Sequence, residues 1–327
     1  MIRFIACLIL VLGAASSAPA DSVLEAMARK DWPALERLLA EKRAQAPRHP
    51  VYAYDHACVL TRLGRKEEAL GALKTAVANG FPYLALFRRD EDLDPLRELP
   101  GFAEIEPGIR ANNAVALAAF QKKHAEGPKV LFFAPPEARA EGEVKPLPVV
   151  VALHPSGGSA ETFAPVFRDM AREIGALLVV PEGVTPEGDG YNWGVSEQGG
   201  WLVTRAIEKA RARYSIDEKR IVLAGWSNGA NQGLLLGLER PELAMGIVAA
   251  AGYFEDRLFD AAPGKKLPRV AFVNGERDSA AVNNRRGAEI LKKAGAAVHL
   301  KILPNHGHGL PPAAELRDAL RFAFALD

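Results

Sequence analysis

Arg220 to Glu239 reads RIVLAGWSNGANQGLLLGLE. The short apolar run Ile221-Val222-Leu223-Ala224 suits a buried strand, and Leu234, Leu235, Leu236 and Leu238 suit one face of a helix. Between them stands Gly225-Trp226-Ser227-Asn228-Gly229, with glycines where a strained strand-to-helix turn brings backbones close. Such a turn lifts the Ser227 hydroxyl clear of a sheet. It also aims the Asn228 N–H, at a helix start, at any negative oxygen formed on a bound acyl group.

With 29 Gly in 327 residues, a G-x-S-x-G pentapeptide alone says little. Its flanks and the residues downstream carry the reading. Arg269 to Asn274 reads as a strand, and Gly275-Glu276-Arg277-Asp278 puts an acid at its C-terminal end, where open α/β sheets gather their sites. Val298 to Leu303 is a last strand, followed by the loop Pro304-Asn305-His306-Gly307-His308-Gly309-Leu310. An acid, a histidine and a serine on three strand ends suit nucleophilic acyl transfer. Spacing leaves both His306 and His308 open as the base.

Upstream, Pro146 to Leu153 reads as a buried strand running into His154-Pro155-Ser156-Gly157-Gly158-Ser159. Ala160 to Ile174 reads as a helix capped by Ser159, Ala176 to Pro181 as a strand, and Trp201 to Tyr214 as a helix. The Gly-rich stretch Glu182 to Gly200 reads as one long loop carrying Tyr191, Asn192 and Trp193. Trp193, with Trp226 and Tyr253, is a candidate for lining a substrate pocket. Tyr191 and Trp193 equally suit pinning that loop to the core.

From Val130 the pattern alternates strand and helix, implying a mostly parallel sheet covered by helices on both faces. The order Ser227, Asp278, His308 resembles that of α/β-hydrolase triads, and the likeness covers about 200 residues. H-P-S-G-G resembles the H-G-x-G oxyanion loop, with Pro155 in place of a glycine, and since proline has no N–H the second donor that the resemblance implies falls to Ser156 or Gly157, with Ser156 favoured by position. That loop, G-W-S-N-G-A and G-H-G-L-P-P look like phospholipase/carboxylesterase and polyhydroxybutyrate-depolymerase-like esterases. The resemblance implies a serine esterase acting on a small-molecule ester, with Ser227, Asp278 and His308 catalytic and Ser156 and Asn228 supplying the oxyanion donors. Endings of the form P-G-x-G-H favour His308 over His306. No metal or cofactor is implied, since no cluster shows ligand spacing. Peptidase, thioesterase and acyltransferase share this triad, and a binding protein with a decayed hydrolase domain is the alternative from another class.

Residues 21 to 120 read as a separate helical domain. In Ala53 to Phe81, the positions of Ala57, Gly64, Ala69, Leu73 and Ala76 resemble a tetratricopeptide repeat, and Asp31-Trp32-Pro33 resembles the turn of a degenerate one. The segment reads either as a cap on the catalytic domain or as a module for a protein or peptide partner. Cys58 and His56 read as core or surface residues rather than metal ligands.

Residues 1 to 20 read as a signal peptide, with Arg3 before the apolar run Ile5 to Leu12 and Ala18-Pro19-Ala20 fitting a cleavage site. An exported, periplasmic or secreted protein is expected, with no membrane span once the signal is removed. The mature chain has 40 basic and 40 acidic residues and keeps Cys58 as its single cysteine. That balance suggests no nucleic-acid partner. A catalytic domain is expected over residues 121 to 327.

Overall fold

The computed structural model describes residues 26–136, 145–259 and 266–326, residue 28 excepted. The signal-peptide segment and the charged stretch 137–144 lie outside the described residues. The chain divides into two compact units, one ending at Ala119 and one beginning at Phe120.

The first unit is helical. α1 (Trp32–Gln45) begins where the aspartate before it accepts the Ala34 N–H at 3.0 Å, with Pro33 in the first turn. α2 (Pro50–Arg62) and α3 (Lys66–Ala78) pack together around Tyr54, Ala57, Ala69, Leu73, Ala76 and Phe81. A short helix α4 (Leu84–Arg89), a 3-10 stretch (Glu91–Leu96) and α5 (Ile105–Lys123) follow.

The second unit holds a seven-stranded sheet. Its strands are β1 (Val130–Phe133), β2 (Leu147–Leu153), β3 (Leu177–Pro181), β6 (Ile216–Trp226), β7 (Gly246–Ala250), β8 (Arg269–Gly275) and β9 (Val298–Leu303). Their order is β1-β3-β2-β6-β7-β8-β9, parallel except for β1 against β3. β2, β3 and β7 are buried along their whole length, as parallel strands covered on both faces must be. Val150 and Ala152 pack on one side against α6 (Ala160–Glu173) and α10 (Ala313–Ala323). Val149, Val151 and Leu153 face α7 (Ser196–Arg213) on the other. α8 (Asn228–Glu239) and α9 (Ala280–Lys293) cover that second side further along, over Ile247, Ala249, Val270 and Phe272.

From β2 the chain steps outward to β3, then returns across to β6 on the other side. The ends of β2 and β6 therefore flank a topological switch point, where open α/β sheets leave a crevice. Ala152 pairs with Ala224 and Leu153 with Gly225, so the loops after the two strands emerge side by side.

Two stretches differ from expectation. The loop after β3 contains a hairpin of β4 (Thr185–Glu187) and β5 (Gly190–Asn192). Its first strand is wholly exposed, so it has no alternation of apolar residues to read. α7 starts at Ser196 rather than Trp201 because packing on α8 holds its Gly199-Gly200 pair helical against their propensity. Among the described residues no helix is long and apolar enough to cross a membrane.

Candidate active site

β6 ends at Trp226 and α8 starts at Asn228, leaving Ser227 alone in the turn at φ 53° and ψ −119°. A non-glycine residue holds such a backbone only where its surroundings enforce it. The Ser227 N–H donates to the Ala250 carbonyl at 2.9 Å. A Cβ at Gly229 would stand 2.0 Å from the Leu153 carbonyl oxygen, so only glycine lets the start of α8 sit this close to β2. The turn leaves Ser227 half-buried with its Oγ 2.9 Å from His308 Nε2.

His308 Nδ1 lies 3.0 Å from Asp278 Oδ2, and the Asp278 side chain is 1% exposed against 52% for His308. The other carboxylate oxygen accepts the Ala280 N–H at 2.9 Å, at the start of α9. A carboxylate only accepts, so Nδ1 carries the imidazole proton and Nε2 presents its lone pair to the serine hydroxyl. The histidine loop is fastened to the acid's loop. Arg277 donates its N–H to the His306 carbonyl and its Nη2 to Asn305 Oδ1, and the Asn305 N–H donates to Glu276 Oε2. Asn305 is the left-handed residue of that loop, at φ 57°. His306 Nε2 is buried beside Gly309 without a hydrogen-bond partner.

The loop after β2 is built around His154, which is fully buried. Its Nδ1–H donates to the Pro155 carbonyl at 2.8 Å and its Nε2 accepts the Gly183 N–H at 2.9 Å. Burial holds its pKa below the ordinary histidine value, in keeping with a neutral ring that donates from one nitrogen and accepts at the other. Trp193 stacks on that ring at 4.6 Å and donates its indole N–H to the His154 carbonyl at 2.9 Å. Among the N–H groups of the loop, Pro155 has none, Gly157 donates to the Tyr191 carbonyl and Gly158 to the Pro155 carbonyl. Among the described residues the Ser156 N–H has no such partner. Ser156 Oγ accepts from Asn228 Nδ2 at 3.1 Å, so the residue lies beside the helix start that follows Ser227.

Of the three residues expected to line a pocket, one cannot. Trp193 is fully buried, pinned to the core through His154. Trp226 is half-buried and packs at the edge of the α6/α10 core. Tyr253 is half-buried, with its hydroxyl accepting from Asn283 Nδ2 at 2.6 Å. Asn192 and Glu187 also stand at the site, and sequence reading assigns them no role. Polar residues in an exposed loop carry no signal of what they will face.

In the first unit, Cys58 does have neighbours of ligand type. Its Sγ and carboxylate oxygens of Asp90 and Asp92 lie within 4.8 Å of one another, brought together by the chain between α2 and the 3-10 stretch. Tyr54 O–H and Cys58 Sγ–H both point to Asp90 Oδ2, and Arg62 pairs with Asp92. Asp55, one helical turn before Cys58, is fully buried with neither carboxylate oxygen partnered. Burial first, then the charge of Asp90, raise its pKa well above the usual carboxylate range.

No known protein family matches the chain, and no curated protein sequence does. Among solved structures, esterase PE8 is 20% identical over 60% of this chain and 96% of its own, with a TM-score of 0.50. A protein of unknown function from Agrobacterium tumefaciens str. C58 is 23% identical over 62% of this chain and 99% of its own, also at 0.50. A Bacillus cereus carboxylesterase is 20% identical over 63% and 97%, at 0.47. The likeness is one of fold, and the second unit has the mostly parallel, helix-covered sheet of an α/β hydrolase.

Proposed function

We propose that the chain is a serine hydrolase that cleaves carboxylic esters of small molecules through an acyl-enzyme. The observation that carries this is the hydrogen-bonded series Ser227–His308–Asp278, set on a serine held at positive φ. His308 Nε2 takes the hydroxyl proton as Ser227 Oγ bonds to the ester carbonyl carbon. Asp278 holds the Nδ1 proton and stabilises the imidazolium. The N–H groups of Ser156 and Asn228 receive the oxyanion. His308 then passes its proton to the departing alcohol, and water, activated by the same histidine, releases the acid and restores Ser227.

Half-exposed Trp226 and Tyr253 are the side chains best suited to line the acyl or alcohol pocket. The signal-like residues 1 to 20 support export to the periplasm or beyond. The tetratricopeptide-like pattern of the first unit supports either a cap or a surface for a protein or peptide partner. A decayed, purely binding hydrolase domain is disfavoured, since every catalytic group is present and in bonding range.

A fluorophosphonate should label the purified protein at Ser227, and Ser227→Ala should abolish labelling and cut turnover at least about a thousandfold. A variant that still labels or hydrolyses would sink the reading. A panel of p-nitrophenyl esters beside thioester and peptide substrates should rank esters first. Faster thioester or peptide cleavage would reassign the reaction without disturbing the triad.

A further inference from the structure

Resting on the serine-hydrolase reading, we infer that Asn192 is a positioning residue that holds the two oxyanion donors in register, with Glu187 anchoring it. The β4–β5 hairpin is clipped directly to the loop after β2. Tyr191 donates its N–H to the Gly158 carbonyl at 2.9 Å and accepts the Gly157 N–H at 3.1 Å. A Cβ at Gly190 would lie 2.3 Å from the Gly157 carbonyl oxygen and 2.5 Å from that of Gly158, so the hairpin sits as close as a glycine allows.

From this hairpin the Asn192 amide reaches across the mouth of the switch point. Its Oδ1 accepts the Gly194 N–H at 2.9 Å and Asn228 Nδ2 at 3.3 Å. Its Nδ2 donates to Glu187 Oε2 at 2.9 Å and to Ser156 Oγ at 3.5 Å. Both lone-pair sites and both hydrogens of the amide are thereby used. The orientation of the amide follows from its neighbours, because a backbone N–H can only meet Oδ1 and a carboxylate can only meet Nδ2.

Asn228 Nδ2 also donates to Ser156 Oγ at 3.1 Å. The side chains of the two residues whose N–H groups face the oxyanion are thus bonded to each other and to Asn192. Ser156 sits on an exposed loop with glycines after it, and Asn228 on the first turn of a helix. Their own hydrogen bond joins the two side chains, and Asn192 ties that pair to the hairpin clipped onto the loop after β2. An error of about 1 Å in an oxyanion donor can cost about a hundredfold in rate. Asn192 touches no reacting atom, and its effect passes through the two donors.

The test is carried out on the full chain with a p-nitrophenyl ester, counting working sites by fluorophosphonate titration so that misfolded protein drops out. Asn192→Ala should lower kcat per site about 10- to 100-fold with KM little changed, somewhat less than deletion of a donor itself. Affinity for an alkylboronic acid, which forms a tetrahedral adduct on the serine, should fall in parallel. Asn192→Asp sets a second carboxylate against Glu187 and should also be impaired. Adding Glu187→Gln to it restores a donor facing the introduced carboxylate and should recover much of the loss.

Undiminished kcat in Asn192→Ala would overturn the inference. So would a kcat loss with unchanged boronate affinity, or no recovery in the double variant. A wild-type protein that neither labels nor turns over would overturn the hydrolase reading itself, whereas an active wild type beside an unaffected Asn192→Ala would overturn this inference alone.

Discussion

The elbow at residues 225–229 and the hairpin at 183–194 meet at the same few ångströms of the molecule, and they are made in opposite ways. The elbow is spelled out by adjacent residues, a strand, a serine at positive φ and a glycine, and these fit against backbone carbonyls of β2 and β7. The hairpin is short and exposed, and takes its place from partners about 35 residues away in the loop after β2. Groups that do the chemistry can be set by local sterics. Groups that aim them are set by tertiary hydrogen bonds, which leave little trace in a local pattern.

The contrast is broken or sharpened by four tests, ordered by their expected effect on turnover. His308→Ala removes the partner of the elbow serine and should cost several orders of magnitude in kcat, while His306→Ala, two residues away, should keep most of it. The reverse ranking would make His306 the base and leave Ser227 and Asp278 in place.

Gly190→Ala acts on the hairpin alone. Its Cβ has no room against the Gly157 and Gly158 carbonyls, so the hairpin and the loop bearing Ser156 must move apart. A loss of about a hundredfold in kcat is expected, from misplaced donors rather than from the nucleophile. Fluorophosphonate labelling that falls while the protein keeps its circular dichroism spectrum would support this. Full activity in Gly190→Ala would mean the hairpin does not hold the loop.

Trp193→Phe keeps the stack on His154 but leaves the buried His154 carbonyl without its donor, a cost of about 1–3 kcal/mol in stability. The drop should appear in a urea midpoint, with kcat reduced less than by Gly190→Ala. A substrate-dependent change in KM would instead return Trp193 to the pocket.

Asp55→Asn lies in the first unit and should leave kcat alone. Its folded pKa is raised, so between the ordinary carboxylate range and that higher value the folded chain holds a proton that the unfolded chain has released. Stability from this group is therefore full at low pH and is lost as pH rises through that window. The wild type should lose more stability than Asp55→Asn between pH 4 and pH 8, by thermal unfolding at each pH. Equal losses would mean that the burial of Asp55 carries no such penalty.

The fold of the second unit was largely legible because buried parallel strands are written as continuous apolar runs. Val149 to Leu153 and Ile221 to Ala224 could be little else. The serine, acid and histidine were legible from motif and chain order, and the structure brings their side chains within 3.0 Å. The choice of Ser156 over Gly157 followed from Pro155 only in part. The bond of the Gly157 N–H to the Tyr191 carbonyl adds support for Ser156, and it depends on a hairpin that reads as loop in the sequence. Trp193 failed for the same reason, since an aromatic in a Gly-rich loop reads alike whether it faces substrate or core. Asp90 and Asp92 beside Cys58 were equally hidden, being more than 30 residues away in the chain.

The backbone at Ser227 sets activity against durability at a single residue. Holding a non-glycine there costs of order 1–3 kcal/mol, out of a folding margin typically about 5–15 kcal/mol. Ser227→Ala would keep that cost and Ser227→Gly would release it, against only about 0.5–1 kcal/mol for the greater freedom of an unfolded glycine. Both variants should be dead, yet the glycine one should outlast the other on heating. A lineage that had stopped using the hydroxyl would thus have an easy route to a sturdier protein, one substitution away.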